Sequence, residues 1–166
     1  MPFPEFEGSG FRPVDEIPRE RGQLLQERPL LAGQLDGRLG VPHIEKAGGG
    51  AVLNISSMSA ENKNVRMASY SSSKAAISHL TRNIAFDLGP KNIRVNAIAP
   101  GAIRTDALAT VLTPEVEAAM LKHTPLKRLG LPEDIAAAAL FLCAPASNWV
   151  SGQILTVSGG GVQELD

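Results

Sequence analysis

The spacing of apolar positions along this chain changes several times, and the changes divide it. Over residues 1–40 the apolar residues hold neither a period of two nor a helical period for long. The stretch "GQLLQERPLLAGQL" starts a helical pattern, which Pro29 interrupts. The glycine triplet at residues 48–50 reads as a turn. "AVLNIS", residues 51–56, is a short β-prone run that predicts a buried strand. In "ASYSSSKAAISHLTRNIAFDLG", residues 68–89, Ala76, Ile77, Leu80, Ile84 and Leu88 fall on one helix face. Gly89 suits the left-handed residue past a helix end, and Pro90 cannot continue the helix. "IRVNAIAPG", residues 93–101, predicts a second strand closed by Pro100 and Gly101. "LTPEVEAAMLKH" is a short amphipathic helix with Thr113 as its cap and Pro114 behind it. "LPEDIAAAALFLCAP" opens with Pro132 and two acids, as a helix start does, and stops before Pro145. "QILTV", residues 153–157, predicts a third strand.

The order strand, helix, strand, helix, strand places the chain in the α/β class, with parallel strands and right-handed crossovers. It amounts to about half of a doubly wound sheet behind an irregular N-terminal segment. Ligands of such sheets sit outside the carboxyl ends of the strands, so residues 56–70, 99–128 and 158–166 become the candidate site segments. Two regions follow, 1–40 and 41–166. Residues 1–40 hold five prolines, six glycines and five arginines but no lysine, the bias of an out-of-frame translation, and are expected to be irregular or disordered.

Composition narrows the function classes. The chain has 166 residues, 43% of them hydrophobic, and a formal net charge of -1. No basic block supplies the positive face that a nucleic-acid partner needs. A single cysteine excludes an internal disulfide and fits a reducing compartment. That residue, Cys143, lies in "AAAALFLC" and reads as a small buried hydrophobe. No apolar run approaches the length of a membrane span, and the start of the chain lacks a signal-peptide pattern, so the cytoplasm is the expected location. His43, His79 and His123 show no metal-ligand spacing.

The chemistry concentrates in "SYSSSK", residues 69–74. Tyr70 is the only tyrosine in the chain, and Lys74 shares its helix face one turn on. A free phenol titrates near pH ~10. A neighbouring ammonium and a helix N-terminus both favour the phenolate, and a tyrosine so placed can exchange a proton with an alcohol oxygen. The small Ser71, Ser72 and Ser73 leave room for a ligand. Ser57, at the end of the first strand, offers a second hydroxyl to the same oxygen.

The spacing Ser57-x12-Tyr70-x3-Lys74, followed by "RVNAIAPG" and "SGQILTVSGG", resembles the short-chain dehydrogenase/reductase family over roughly residues 41–166. The resemblance implies the C-terminal part of a Rossmann-like domain in an NAD(P)-dependent oxidoreductase, with NAD favoured over NADP. Tyr70 would be the general acid/base, Ser57 would orient the substrate oxygen, and Lys74 would assist Tyr70 and bind the nicotinamide ribose. Pro100, Gly101 and the backbone of Ile103, Arg104 and Thr105 would line the nicotinamide carboxamide. The segment 102–128 would form a lid, with Met120 and Leu121 available to an apolar substrate. "SAENKN", "HLTRNIAFDLG" and "GGGVQEL" are most similar to the family's bacterial 7α-hydroxysteroid dehydrogenases. They imply a steroid or bile-acid alcohol as substrate, with 3-oxoacyl thioesters as the alternative. The family also implies a homodimer or homotetramer.

The chain departs from that pattern at one end. The family's Gly-x3-Gly-x-Gly turn, its Asn-Asn-Ala-Gly motif and its helix asparagine have no counterpart; Gly33, Gly37 and Gly40 have the wrong spacing and no strand before them. The "AVLNIS" strand would keep one unpaired edge. A non-catalytic fragment is therefore the second expectation.

Overall fold

The structure is a computed structural model that describes residues 40–62, 67–110 and 112–161. The expectations for residues 1–39 lie outside the described residues. Residues 40–46 are helical (α1). Then follow β1 (Gly50–Ile55), a 3₁₀ turn at Met58–Ala60, α2 (Ala68–Leu88), β2 (Ile93–Pro100), α3 (Asp106–Ala109), α4 (Pro114–Lys122), α5 (Pro132–Cys143) and β3 (Ile154–Val157). The three expected strands and three expected helices are all present.

The sheet has the order β1-β2-β3, and both pairings are parallel. β2 lies in the middle, and Ile93, Val95, Ala97, Ile98 and Ala99 are almost completely buried. A strand covered on both faces reads as a continuous apolar run, as "IRVNAIAP" nearly does. The polar exceptions in it, Arg94 and Asn96, are both satisfied. Asn96 donates from Nδ2 to Val150 O at 2.8 Å and accepts from Gln153 N at 3.0 Å.

Side chains alternate between the two faces of a strand, which fixes where the helices lie. Asn54 of β1 bonds Thr81 of α2, and its register partner on β2 is Ala97. Arg94 of β2 has the opposite parity and reaches the end of α5. α2 and α5 thus cover opposite faces. Both connections step the same way across the sheet, so they cannot share one hand, and the expectation of two right-handed crossovers fails for one of them. The second connection can change face because residues 101–131, with α3 and α4, pass around the carboxyl end of the sheet instead of folding straight back.

Two further expectations are corrected. Gly89 is right-handed (φ -52), and the chain runs through one more 3₁₀ turn, Gly89–Lys91, with Pro90 in its first turn. The left-handed residue is Asn92 (φ 58), whose side chain donates to Gly48 O at 3.0 Å. Cys143 is exposed, because Leu142 is the buried position there and the next residue is rotated about 100° around the helix. On α2 the expected face is the inward one, with Ile77 buried and Ala76, Leu80, Ile84 and Leu88 half-buried; Ser78 and Thr81, outside the apolar pattern, are buried as well.

Both ends of α5 are held by charge. At the N-terminus, Asp134 accepts from Leu131 N at 2.7 Å and from both arms of Arg128 at 2.7 and 2.9 Å. Those bonds, the Arg128 guanidinium first, pull the Asp134 carboxyl down from 3.8 to about 2. At the C-terminus, Arg94 donates to Leu142 O at 2.7 Å, to Ser147 Oγ at 3.0 Å and to the carbonyls of Cys143 and Ala144 at 3.4 and 3.3 Å. A forked cation thus satisfies carbonyls that the helix leaves unpaired.

Replacing Arg94 by Ala is expected to lower stability by about 2–3 kcal/mol, the loss of charge-assisted bonds to half-buried acceptors. Arg94→Lys should recover only part of it, because an ammonium cannot fork. Urea denaturation of the three chains checks this, and equal midpoints would refute it. Asp134 makes a second, pH-dependent prediction. Its folded carboxyl titrates below its unfolded value, so its contribution is present above pH ~4 and is lost as pH falls toward ~2. Asp134→Asn should flatten the melting temperature over that window relative to the parent chain, and leave the slope above pH 5 unchanged on the order of experimental error.

Candidate active site

Every strand of the sheet ends at the same edge, and the expected site residues come from those ends. The β1–β2 pairing continues one residue past β1, with Ser56 N donating to Ile98 O at 2.7 Å. Ser57 follows, 7% exposed. Its Oγ accepts from Ser59 N at 3.1 Å and caps the 3₁₀ turn at Met58–Ala60. That bond uses a lone pair and leaves the hydroxyl proton free to donate.

α2 brings the second group of residues to this edge. Tyr70 is the third residue of the helix and is 43% exposed. Lys74 lies one turn on, its Nζ 5.8 Å from the Tyr70 ring centroid and donating to Ile55 O at 3.0 Å. A run of hydroxyl and amide contacts sets the height of the helix against β1. Ser56 Oγ donates to Lys74 O at 2.9 Å and lies 2.7 Å from Ser78 Oγ, while Asn54 Nδ2 donates to Thr81 Oγ1 at 2.9 Å. Ser78 and Thr81 are buried for this reason. The apolar periodicity of the helix gave no sign of them, and a hydroxyl facing the "NISS" run is the signal that could have. Among the serines after Tyr70, Ser73 Oγ donates back to Tyr70 O at 2.7 Å, and Ser71 Oγ is buried without a partner among the described residues.

The third group is the turn after β2. Gly101 N donates to Val157 O at 2.9 Å, extending the β2–β3 pairing. A β-carbon at Gly101 would stand 2.7 Å from Ser158 Cα and 3.2 Å from Met58 Sδ, so only glycine fits where the three strand-end turns meet. Ile103 forms a parallel bridge with Gly130. Thr105 Oγ1 caps α3 by accepting from Leu108 N at 3.2 Å. Arg104 turns away: its N donates to Gly130 O at 2.8 Å and its guanidinium pairs with Glu117 of α4 at 2.8 Å.

These parts enclose one cleft of about 450 Å³. Ser57, Tyr70, Lys74, Pro100, Gly101, Ile103 and Thr105 all line it, and Arg104 does not. The sequence reading missed Ile55, Pro132 and Ile135, and held Ser56 only as the first residue of the candidate segment 56–70; these four complete the wall. Pro132 was legible as a helix start, but nothing local said that this helix start faces the strand ends. Met120 and Leu121 do not line the cleft. The cleft holds no carboxylate and one cation, Lys74, with three hydroxyls whose protons are free, those of Ser57, Tyr70 and Thr105. It is suited to an oxygen that gains or loses a proton. No group of residues able to hold a metal ion occurs among the described residues.

Known proteins carry the same arrangement of sequence. Residues 38–161 match the family described as Enoyl-(Acyl carrier protein) reductase. The 7alpha-hydroxysteroid dehydrogenase of Escherichia coli (strain K12) is 71% identical over 129 residues, 78% of this chain and 51% of that protein. The enzyme of the same name from Clostridium sardiniense is 43% identical over 126 residues, 76% of this chain and 48% of that protein. The chain thus spans about half the length of the curated relatives it matches. Among solved structures, a 7 alpha-hydroxysteroid dehydrogenase complexed with NADH and 7-oxo glycochenodeoxycholic acid superposes with a TM-score of 0.82 at 62% identity, covering 91% of this chain and 59% of that one. A 3-oxoacyl-[acyl-carrier protein] reductase from Brucella melitensis superposes with a TM-score of 0.79 at 35% identity, covering 90% of this chain and 56% of that one. The chain belongs to the short-chain dehydrogenase/reductase family.

Proposed function

We propose that residues 41–166 are the C-terminal part of a dehydrogenase domain that oxidises a secondary alcohol to the ketone, with a 7α-hydroxysteroid of bile-acid type as substrate and NAD(P) as cofactor. The observation that carries this reading is the meeting of Ser57, Tyr70 and Lys74 in one cleft with the turn Pro100–Gly101. The identity to 7alpha-hydroxysteroid dehydrogenases supports the substrate class.

The residues present fit one end of a nicotinamide dinucleotide. Lys74 offers a cation to ribose hydroxyls, and the backbone of Gly101, Ile103 and Thr105 offers the polar groups a carboxamide needs. A bound nicotinamide supplies the two-electron acceptor for the carbinol C–H bond. The chain's own residues manage the proton. Tyr70 takes it from the substrate hydroxyl as the carbonyl forms, in a cleft where its phenol has no other partner among the described residues. Ser57 donates its free proton to the same oxygen and fixes its direction. Lys74, anchored on Ile55 O, keeps a positive charge beside the Tyr70 ring and so supports the phenolate form in which Tyr70 accepts the proton, a charge that the transfer then neutralises.

A non-catalytic fragment is the second reading. It is favoured by the absence, among the described residues, of a glycine-rich strand-to-helix turn for the pyrophosphate.

Tyr70→Phe is expected to cut turnover by about 10²–10⁴, the usual share of a positioned acid/base, while the melting temperature stays close to the parent's. Lys74→Arg should be nearly as damaging. A Tyr70→Phe chain that keeps a few per cent or more of parental activity would overturn the assignment. Substrate class is decided by paired assays with NAD(P) on a 7α-hydroxy bile acid and on a 3-oxoacyl thioester. The bile acid is expected to turn over faster, and the reverse order would favour the acyl substrate. Absence of both activities and of NADH binding would favour the fragment reading.

A further inference from the structure

Ile103 is one of the wall residues of the cleft. On its far side lies a second, smaller cavity of about 100 Å³, bounded by Leu126, Gly130, Val157 and Ser158 among others, and Ile103 lines both spaces. Gly130 borders the small cavity and not the cleft. It is also the bridge partner of Ile103, and the backbone there is fixed from both sides. Gly130 N donates to Ala102 O at 2.9 Å, and Arg104 N donates to Gly130 O at 2.8 Å. One residue on, Leu131 N is held by Asp134, which Arg128 grips with both arms.

A β-carbon at Gly130 would collide with Ile103 Cδ1. Its next neighbours, Ala102 O at 3.6 Å and Asp134 Oδ2 at 3.8 Å, would be undisturbed. The conflict therefore falls on one side chain, not on the backbone. Ile103 borders the small cavity and the cleft, and a retreat toward the cleft would carry its methyl into the nicotinamide end.

We infer that Gly130 is a positioning residue for the nicotinamide end of the cleft: the space left by its missing side chain seats the Ile103 Cδ1 methyl and keeps it out of the cofactor's place. This rests on the nicotinamide reading of the cleft. It assigns a role to a residue outside the Ser57, Tyr70 and Lys74 set, and one that touches neither substrate nor cofactor.

The test uses the full chain with NADH as the probe, its binding read by fluorescence titration, and ¹³C-methyl labelling of isoleucine to follow Ile103 by NMR. Gly130→Ala should shift the Ile103 δ1 methyl resonance, weaken NADH binding about tenfold, and leave the melting temperature within a few degrees, as a single overpacked methyl does. Adding Ile103→Val removes the colliding carbon and should return the affinity to within about twofold of the parent. A purely structural role for Gly130 would lower the melting temperature without this rescue. If the parent chain binds NADH and Gly130→Ala binds it equally well, or if Ile103→Val fails to restore binding, the assignment of Gly130 is wrong and the nicotinamide reading stands. If the parent chain does not bind NADH, the nicotinamide reading is wrong and the assignment falls with it.

Discussion

One buried hydroxyl sets the geometry of the whole site. Ser56 Oγ touches Ser78 Oγ at 2.7 Å and the carbonyl of Lys74 at 2.9 Å, so a residue at the end of β1 decides how far α2 can slide along the sheet. Apolar packing alone tolerates such sliding, since one methyl fits against another at many offsets. A hydroxyl pair at hydrogen-bond distance does not, because a shift of one residue leaves buried donors without partners. Ser57 belongs to β1 while Tyr70 and Lys74 belong to α2. Their meeting in one cleft depends on that fixed offset, with Asn54 and Thr81 repeating the constraint one turn further along.

The turn after β2 is held in a different way. Its position comes from backbone pairing that outlasts the strands: Ser56 N to Ile98 O, Gly101 N to Val157 O, and the Ile103–Gly130 bridge. The first two continue a parallel register beyond their strands, and the third is an isolated parallel bridge. The cleft is thus lined by segments without regular structure that still inherit the alignment of the sheet.

Much of this was legible in the sequence, for identifiable reasons. "AVLNIS", "IRVNAIAPG" and "QILTV" are β-prone runs between strong breakers, and Pro114 and Pro132 mark helix starts whose neighbours agree. The Ser57, Tyr70 and Lys74 spacing was readable because two of the three share one helix face. The rest depends on contacts across the chain. The burial of Ser78 and Thr81 answers to β1, not to the period of α2. The exposure of Cys143 depends on which side of α5 meets the sheet, and an apolar run with residues such as Leu140 and Phe141 on every side does not reveal it. Gly89 was read as a left-handed stop, whereas the chain defers that conformation to Asn92, where a side-chain bond to Gly48 O fixes it. Ser56, Pro132 and Ile135 reach the cleft only through the crossing of separate strand ends.

The contact of Met58, Gly101 and Ser158 has a consequence for how such a chain can vary in length. Three turns that leave three neighbouring strands touch at one point, with no room there for even a single added carbon on Gly101. An extra residue in any of these turns would lift one strand end away from the other two and open the floor of the cleft. Insertions and deletions are therefore tolerable only farther out, around α3 and α4, where added chain can loop into solvent. Variation in ligand preference among chains of this architecture would accordingly be carried by that outer segment, while the spacing of the inner turns stays constant.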